Sequence, residues 1–350
     1  MNETQPVNGL QTPTVADFAG TFRRIQAEVH KAIVGHEQAI EELLSAFFAG
    51  GHVLIEGVPG TGKTTLVKAL GLALNLSFNR IQFTVDLMPA DITGTRVILS
   101  GADGRREFAF QPGPVFAHIL LGDEINRATP KTQSALLEAM AELQVTVAGV
   151  TYPLPPPYLV MATLNPLEME GTYPLPEAQL DRFLFKVRLG YPAEDEMVKI
   201  IGSTTRTEEA VIEPVFPAAE APAALERLKR LVREVIAAPQ IERYAARMVR
   251  ATQPPNAHVM GETPSTVAVD AVARYVSFGS SPRGAQALIL GAKVRALLDG
   301  RANIAYDDVD RVAPAALEHR IMLNYAAHSD NVDAARIVAE VVKAVRPTRS

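Results

Sequence analysis

The sequence predicts an α/β domain, with a parallel sheet flanked by helices, followed by a smaller all-α domain. Five short apolar runs alternate with helical or loop segments up to Leu189, a pattern typical of a parallel sheet covered on both faces. A glycine-rich loop leads directly from the first run into a helical segment. Beyond Pro192 the strand pattern stops and only helical periodicity remains.

The apolar runs place the predicted strands at residues 52–56, 81–85, 118–122, 158–164 and 184–189. Helical spacing over 18–48, broken at 34–36, predicts two helices before the first strand. Pro130 suits the first position of a helix after the third strand. In the second domain the same spacing predicts helices at 225–237, 241–252, 266–278, 284–298 and 332–345.

Changes in composition divide the chain into four parts. Residues 1–14 are polar and interrupted by proline, so we expect a flexible tail. The α/β core is predicted over 15–200, a proline-rich linker over 201–222 and the helical lid domain over 223–350. Within the core, alternating residues around glycine-containing turns predict two hairpin insertions, near 96–110 and 144–152.

Composition excludes several classes of function. The 350 residues include no cysteine, so disulfides and thiolate metal sites are excluded, and the seven histidines lack metal-ligand spacing. The net charge is -5 and the basic residues are scattered, which argues against a nucleic-acid partner. The chain shows neither an export signal nor a run of roughly 18 apolar residues. We therefore expect a cytoplasmic protein without direct membrane insertion.

The loop after the first predicted strand carries the pattern G-x-x-x-x-G-K-[ST] of a P-loop NTPase. Its glycines let backbone N–H groups point at phosphate oxygens, and the following helix adds its partial positive charge. Lys63 is predicted to reach the β- and γ-phosphates of ATP, and the Thr64 hydroxyl to ligate Mg²⁺. The predicted ATP-binding residues are Gly57, Val58, Pro59, Gly60, Thr61, Gly62, Lys63, Thr64 and Thr65.

Two acids, Asp123 and Glu124, directly follow the third predicted strand. Asp123 is placed to hold Mg²⁺, and Glu124 to take a proton from the water that attacks the γ-phosphate. Two acids after a strand are more often a solvated turn. The P-loop upstream favours the catalytic interpretation, and each motif supports the other.

The residues around these acids resemble the MoxR family of AAA+ ATPases. The likeness extends over about 18–323 and is carried by the segments DEINRA (123–128), KTQSALLEAM (131–140), VGHEQ (34–38), PGPVF (112–116) and YPLPEAQLDRF (173–183). Within AAA+ proteins, the ATPase subunits of magnesium chelatase are among the nearest relatives of that family.

The resemblance implies roles for four further residues. Asn165 matches the first sensor, which orients the attacking water, although alone it is part of a turn signal. Arg182 matches the arginine finger that a neighbouring subunit supplies, and Arg127 is a lower-ranked candidate for that role. Arg283 matches the second sensor, acting either within its own subunit or across the interface. Ordinary surface salt bridges are the alternative interpretation of the arginines.

The same resemblance implies a ring, expected to be a homo-hexamer, that uses ATP to remodel, mature or activate partner proteins. A protein with a von Willebrand factor A-type domain is the candidate client. The two predicted hairpins are expected to engage the substrate or line the ring pore, although a purely decorative hairpin would show the same pattern. The alternative function is the ATPase motor subunit of a complex of the metal-chelatase type.

Overall fold

The computed structural model of the protein describes residues 13–100, 106–165, 171–205, 210–255 and 267–347. Most of the predicted tail at 1–14 and the tip of the first predicted hairpin, at 101–105, lie outside these residues. Within the described ranges, no helix combines the length and apolar character that crossing a bilayer requires.

The strands alternate with helices through the first part of the chain. The strands are β1 (Val53–Gly57), β2 (Phe78–Gln82), β3 (Gly94–Ser100), β4 (Arg106–Pro112), β5 (Ile119–Asp123), β6 (Gln144–Val147), β7 (Val150–Pro153), β8 (Leu159–Leu164), β9 (Phe185–Leu189), β10 (Val276–Phe278) and β11 (Met322–Leu323). The helices are α1 (Val15–His30), α2 (Glu37–Ala49), α3 (Lys63–Leu74), α4 (Pro89–Thr93), α5 (Pro130–Glu142), α6 (Glu177–Leu180), α7 (Glu194–Thr204), α8 (Ala221–Glu234), α9 (Pro239–Ala251), α10 (Asp270–Tyr275), α11 (Pro282–Leu298), α12 (Tyr306–Leu317), α13 (Tyr325–Ser329) and α14 (Ala334–Val345).

Helix α1 shows how the local sequence sets an element. Thr14 caps its N-terminus: the Thr14 hydroxyl accepts a hydrogen bond from the backbone N–H of Asp17, and the Asp17 carboxylate accepts one from that of Thr14. Phe18, Phe22 and Ile25 recur at helical spacing and are fully buried. The helix therefore packs its apolar face on the core.

The central sheet has five parallel strands in the order β2-β5-β8-β1-β9. Because successive side chains alternate across a strand, Val53 and Ile55 pack on one face with α1, α2, α3 and the lid, while Leu54 packs on the other with α5. Both faces are thus covered, as the continuous apolar runs predict. Because the five strands are parallel, their carboxyl ends all lie at the same edge of the sheet.

Two antiparallel hairpins, β3–β4 and β6–β7, lie outside the sheet. They contact one another because the rings of Phe110 and Tyr152 stack with centroids 3.9 Å apart. Further towards the tip on the same face of β3–β4, Ile98 and Phe108 form a cross-strand pair and are 56% and 66% exposed. The hairpins therefore share one small core and leave the outer part of this apolar face in solvent.

The lid is built mainly from α8, α9, α11, α12 and α14, with a small antiparallel pair of β10 and β11. It joins the core of the α/β domain through α11. A Cβ atom at Gly291 would lie 2.6 Å from Phe185 of β9 and 2.5 Å from Val312 of α12. Glycine is therefore required for α11 to approach both neighbours, and the lid packs directly on the last strand.

Three local predictions differ from the structure. The second strand covers Phe78–Gln82 rather than 81–85, because β2 is an edge strand with little buried apolar surface to mark its limits. The helix predicted over 266–278 is α10 followed by β10, since Val276 and Phe278 pair with residues of β11 far along the chain. The predicted linker 201–222 includes the end of α7 and the start of α8.

Candidate nucleotide site

The glycine-rich loop joins β1 to α3. Gly60 and Gly62 have φ of 83° and 80°, a left-handed conformation that side chains other than glycine rarely adopt. A Cβ at either glycine would meet no atom within 4 Å, so the space beside the loop is open to a ligand. At Gly57 a Cβ would lie 2.9 Å from the carbonyl of Leu189, so glycine there keeps the loop close to β9.

Side chains of the loop stabilise its shape. The Lys63 ammonium donates to the carbonyl oxygen of Gly57 at 2.6 Å, and the Thr61 hydroxyl donates to that of Val58 at 2.9 Å. Lys63, Thr64 and Thr65 form the first turn of α3, where backbone N–H groups have no partner within the helix. Amide N–H groups and an ammonium on one small loop are the chemistry that binds phosphate.

The acid pair lies at the end of β5. Asp123 is 7% exposed, and its carboxylate accepts hydrogen bonds from Thr163 at 2.6 Å and from Arg80 at 2.7 Å. The Glu124 carboxylate accepts from Gln82 at 2.8 Å and from Arg127 at 2.9 Å. Both charges are therefore paired with donors on neighbouring strands and loops.

Thr163, which is fully buried, connects the two acids. Its hydroxyl donates to Asp123 and accepts from the backbone N–H of Glu124 at 2.9 Å. Glu124 has φ 56° and ψ 51°, a left-handed conformation that turns the chain sharply after the strand. One hydroxyl on β8 thus sets both the carboxylate of the first acid and the backbone of the second.

The loop after the acids is anchored by Gln133, a buried residue of α5. The two N–H groups of its side-chain amide are shared among the carbonyls of Ile125, Ala128 and Tyr173, at 3.0 to 3.3 Å from the nitrogen. This amide connects the turn that follows Glu124 with the segment leading to α6. The position of Glu124 therefore depends on contacts from three parts of the chain.

Asn165, which is 4% exposed, follows β8 at the same edge of the sheet. Leu164 is in register with Glu56 of β1, so Asn165 lies level with the start of the glycine-rich loop. Ala162 is in register with Gly122, so the acids lie level with the residues just before Asn165. The fold thus brings together the loop, the acid pair and Asn165.

The oxygen donors at this edge fit Mg²⁺. In the described part of the chain, no group of three or more His, Asp or Glu side chains could hold a metal by itself. Magnesium is usually bound through one or two protein oxygens together with phosphate oxygens of the substrate, and the Thr64 hydroxyl and the Asp123 carboxylate are such oxygens. The residues that would hold the ion are therefore present.

Arg182 and Arg283 lie at the opposite edge of the sheet, the one formed by the amino ends of the strands. Arg182 lies in the turn just before β9, whose far end at Leu189 is level with Gly57, so the length of β9, about 13 Å, separates this turn from the glycine-rich loop. Arg283 accompanies it, with a guanidinium nitrogen 3.6 Å from the Asp181 carboxylate. A cleft of about 350 Å³ has both arginines in its wall.

Three residues of the site were not predicted from the sequence: Arg80, Gln82 and Thr163. The first two belong to the site because β2 covers 78–82 and not 81–85, which places Gln82 level with Asp123. Polar residues in an edge strand beside two acids are the signal that could have identified them. Thr163 lies within an apolar run and carried no signal of its own.

Comparisons with known families match both parts of the chain. The family model described as the ATPase family associated with various cellular activities (AAA) matches residues 52–185, and the model of the AAA lid domain matches residues 269–341. A crystal structure of a candidate ATPase from Cytophaga hutchinsonii superposes with a TM-score of 0.83 at 36% identity, covering 96% of this chain and 97% of that one. The comparison confirms the predicted fold class.

Curated relatives match over most of the chain. "Chaperone MoxR1" of Mycobacterium tuberculosis is 41% identical, over 93% of this chain and 82% of its own length. "Uncharacterized protein YeaC" of Bacillus subtilis is 42% identical over 91% of this chain and 92% of its own length, and "Protein MoxR" of Methylorubrum extorquens is 32% identical over 99% of both. The chain therefore belongs to the MoxR family of AAA+ ATPases.

Proposed function

We propose that this chain hydrolyses ATP with Mg²⁺ in a ring of identical subunits and uses the energy to remodel or activate a partner protein. The observation that carries the proposal is the convergence of the glycine-rich loop, the Asp123–Glu124 pair and Asn165 at one edge of the sheet. These are the groups that phosphoryl transfer to water requires: a phosphate cradle, a metal ligand, a base and a water-orienting amide.

Each group has a separate task in this proposal. The loop N–H groups and Lys63 bind the phosphates and stabilise charge that develops on them. Bound Mg²⁺, held by Thr64 and Asp123, would neutralise charge on the phosphate oxygens. Glu124 accepts a proton from the attacking water, and Asn165 orients that water. Gln82 and Arg127 now bond to the Glu124 carboxylate, so Glu124 must exchange at least one of these partners to act as a base.

The positions of Arg182 and Arg283 support catalysis between subunits. Arg182 and the Asp181 carboxylate that Arg283 approaches both lie before β9, and the length of that strand, about 13 Å, separates them from the loop of their own chain, beyond the reach of an arginine side chain. A head-to-tail ring would bring this edge of one subunit against the nucleotide site of the next. In that arrangement both arginines act across the interface, and a hexamer is the expected ring. Arg127, which pairs with its own Glu124, is then not the finger.

Remodelling of a protein client is supported by the relative named as a chaperone and by the exposed apolar face of the β3–β4 hairpin. A protein with a von Willebrand factor A-type domain is the proposed client. The alternative is a motor subunit of a metal chelatase, which would bind chelatase subunits instead.

The test uses Glu124→Gln, which should retain ATP but turn it over at least about 100-fold more slowly than the unaltered chain, because it lacks the base. The tagged variant is incubated with host lysate and either ATP or ADP, and the retained proteins are identified by mass spectrometry. Lys63→Ala, which should bind ATP weakly, is the matched control.

A protein retained by Glu124→Gln with ATP, but neither with ADP nor by Lys63→Ala, supports remodelling, most directly if it has a von Willebrand factor A-type domain. If the proteins retained in this way are chelatase subunits, the result would favour the alternative function, a motor subunit of a metal chelatase. The same proteins under all conditions would contradict ATP-gated client binding. Undiminished turnover by Glu124→Gln would contradict the catalytic assignment itself.

A further inference from the structure

The short turn Glu318–Arg320, which follows α12 in the lid, holds the chain segment that carries Arg182. Arg320 is 7% exposed and all five of its N–H groups have acceptors, four of which belong to the segment 181–184. Those four are the Asp181 carboxylate at 2.9 Å, and the carbonyls of Asp181 at 3.1 Å, Phe183 at 2.6 Å and Leu184 at 3.1 Å. The fifth is the carbonyl of Ala316 in α12, the preceding helix.

Other lid side chains contact the same segment. The Ser281 hydroxyl, at the start of α11, donates to the Asp181 carboxylate at 2.8 to 2.9 Å, and Arg283 approaches it at 3.6 Å. His319 donates from Nε2 to the Phe183 carbonyl at 3.1 Å, since a carbonyl can only accept. The residues on both sides of Arg182 are therefore fixed by the lid.

The Arg182 side chain itself has little support. It is exposed, and one guanidinium nitrogen donates to the carbonyl of Leu137 at 2.9 Å. Its backbone N–H bonds to Gln179 at 3.1 Å. The direction of the side chain is therefore set mainly by the backbone of 181–184, to which Arg320 donates hydrogen bonds.

The turn that supplies Arg320 is also tied to the strand before the glycine-rich loop. Glu318 pairs with Arg188 of β9 at 3.0 Å, and Arg188 pairs with Glu56 of β1 at 3.4 Å. Glu56 directly precedes Gly57. One turn of the lid thus contacts the finger segment at one edge of the sheet and residues next to the loop at the other.

We propose that Arg320, through Asp181 and the backbone of 181–184, positions Arg182 for catalysis in the neighbouring subunit. The inference rests on the proposed function, because it requires Arg182 to act across a subunit interface. Arg320 is a positioning residue: it lies within the subunit, and four of its five hydrogen bonds go to the segment that carries Arg182. A displacement of about 1 Å in a catalytic group can lower a rate about 100-fold, which gives such a contact its kinetic weight.

The test is a subunit-mixing experiment on full-length chains. Arg320→Gln alone should lower kcat roughly 10- to 100-fold while the Kd for a fluorescent ATP analogue stays unchanged. Mixing it in equal amounts with Glu124→Gln should restore activity, because the second variant supplies an intact finger to sites whose own Glu124 is intact. Random mixing makes about a quarter of the junctions competent.

Two controls separate this role from general damage to the lid. Arg301→Gln removes a comparable pair inside the lid, in which Arg301 donates to the buried Asp308 at 2.7 and 2.8 Å, but does not touch 181–184. It should lower the unfolding temperature and leave kcat within about twofold. Arg182→Ala mixed with Glu124→Gln is the reference for a lost finger. If Arg320→Gln does not fold, Asp181→Asn replaces it in every arm.

The outcomes distinguish the two hypotheses. Failure of the Arg182→Ala mixture to recover would contradict catalysis between subunits, and with it the proposed function of Arg182. Recovery of that mixture, but not of the Arg320→Gln mixture, would overturn the positioning role alone. An Arg320→Gln chain with the kcat of the unaltered protein would overturn it as well.

Discussion

At the scale of single residues, Glu124 combines a strained backbone with a paired side chain. A left-handed conformation costs a residue other than glycine about 1 to 2 kcal/mol. The hydrogen bond from its N–H to Thr163 and the pairing of its carboxylate with Gln82 and Arg127 hold it there. Strain that persists because its surroundings enforce it is characteristic of functional sites.

Thr163→Val tests the importance of the hydroxyl that joins the acids. Valine has nearly the same shape but removes the acceptor of the Glu124 N–H and one of the two donors to the Asp123 carboxylate, leaving Arg80 as the other. We expect a loss of about 1 to 3 kcal/mol in the free energy of unfolding and at least a tenfold lower kcat. Urea denaturation and steady-state ATPase assays measure the two effects. Thr163→Ser, which keeps the hydroxyl, should stay close to the unaltered chain, and equal losses in both variants would contradict the prediction.

Glu42 gives a prediction for the pH dependence of stability. It lies in the wall of a cavity of about 710 Å³ between α1, α2 and the lid, where burial raises its pKa from 4.5 to about 7. Because the folded chain binds this proton more tightly than the unfolded chain, the associated stability is lost as the pH rises from about 4.5 to 7.

Glu42→Gln removes the carboxylate while keeping an oxygen that can accept from Gln38. The stability of the variant relative to the unaltered chain should therefore increase by about 1 to 3 kcal/mol between pH 5 and pH 8. Urea denaturation of both chains at the two pH values measures the difference. A difference that is independent of pH would show that Glu42 titrates normally.

At the scale of elements, the β3–β4 hairpin has an apolar face that β6–β7 covers only in part. The stack of Phe110 on Tyr152 covers the inner part of one face of β3–β4 with β6–β7. Towards the tip the same face exposes Ile98 and Phe108, and the Arg96 guanidinium lies 5.1 Å from the centre of the Phe108 ring. The exposed aromatic residue lies beside a cation on a hairpin outside the central sheet, and exposed apolar patches of this kind are typical of surfaces that bind partners.

We expect Ile98→Ser and Phe108→Ser, introduced together into the Glu124→Gln chain, to lower ATP-dependent capture of the client at least about tenfold. The reason is that two apolar anchors are lost. The same pair of changes in the chain with Glu124 should leave basal ATP turnover unchanged, because neither side chain contacts the nucleotide site. Tyr325→Ser, which alters another exposed aromatic residue, 87% exposed, is the control. Undiminished capture would exclude this face as the client surface.

At the scale of the whole molecule, the two edges of the sheet have different roles. One edge holds the groups to which we assign the binding and hydrolysis of ATP, and the other holds Arg182 and Arg283 beside the lid. Under the proposed function, a single chain carries both halves of the catalytic site but cannot bring them together. Association of copies in the proposed ring would complete the site.

Assembly should consequently depend on nucleotide. In light-scattering measurements on a sizing column, Glu124→Gln with ATP should show the mass of a hexamer, since nucleotide at the interface bonds to both subunits. Lys63→Ala should remain at lower mass under the same conditions. A mass of one chain for Glu124→Gln, both with and without ATP at micromolar concentration, would contradict the ring.

The sequence by itself determined the features that depend on short stretches of chain. The glycine-rich loop, the Asp123–Glu124 pair and the parallel sheet follow from local spacing and apolar periodicity, because phosphate binding and strand formation use neighbouring residues. The resemblance to MoxR proteins, confirmed by the comparisons, added the candidate roles of Asn165, Arg182 and Arg283, which remain predictions.

Only the tertiary structure decided which distant residues meet. Thr163 and Gln82 reach the acids because β8 and β2 both pair with β5, a register that no local pattern encodes. Phe183 and Arg320 are 137 positions apart and meet because the lid folds back on β9. Hydrogen bonds between distant segments depend on packing of the whole chain, so the placement of Arg182 at the far edge could not be predicted from its motif.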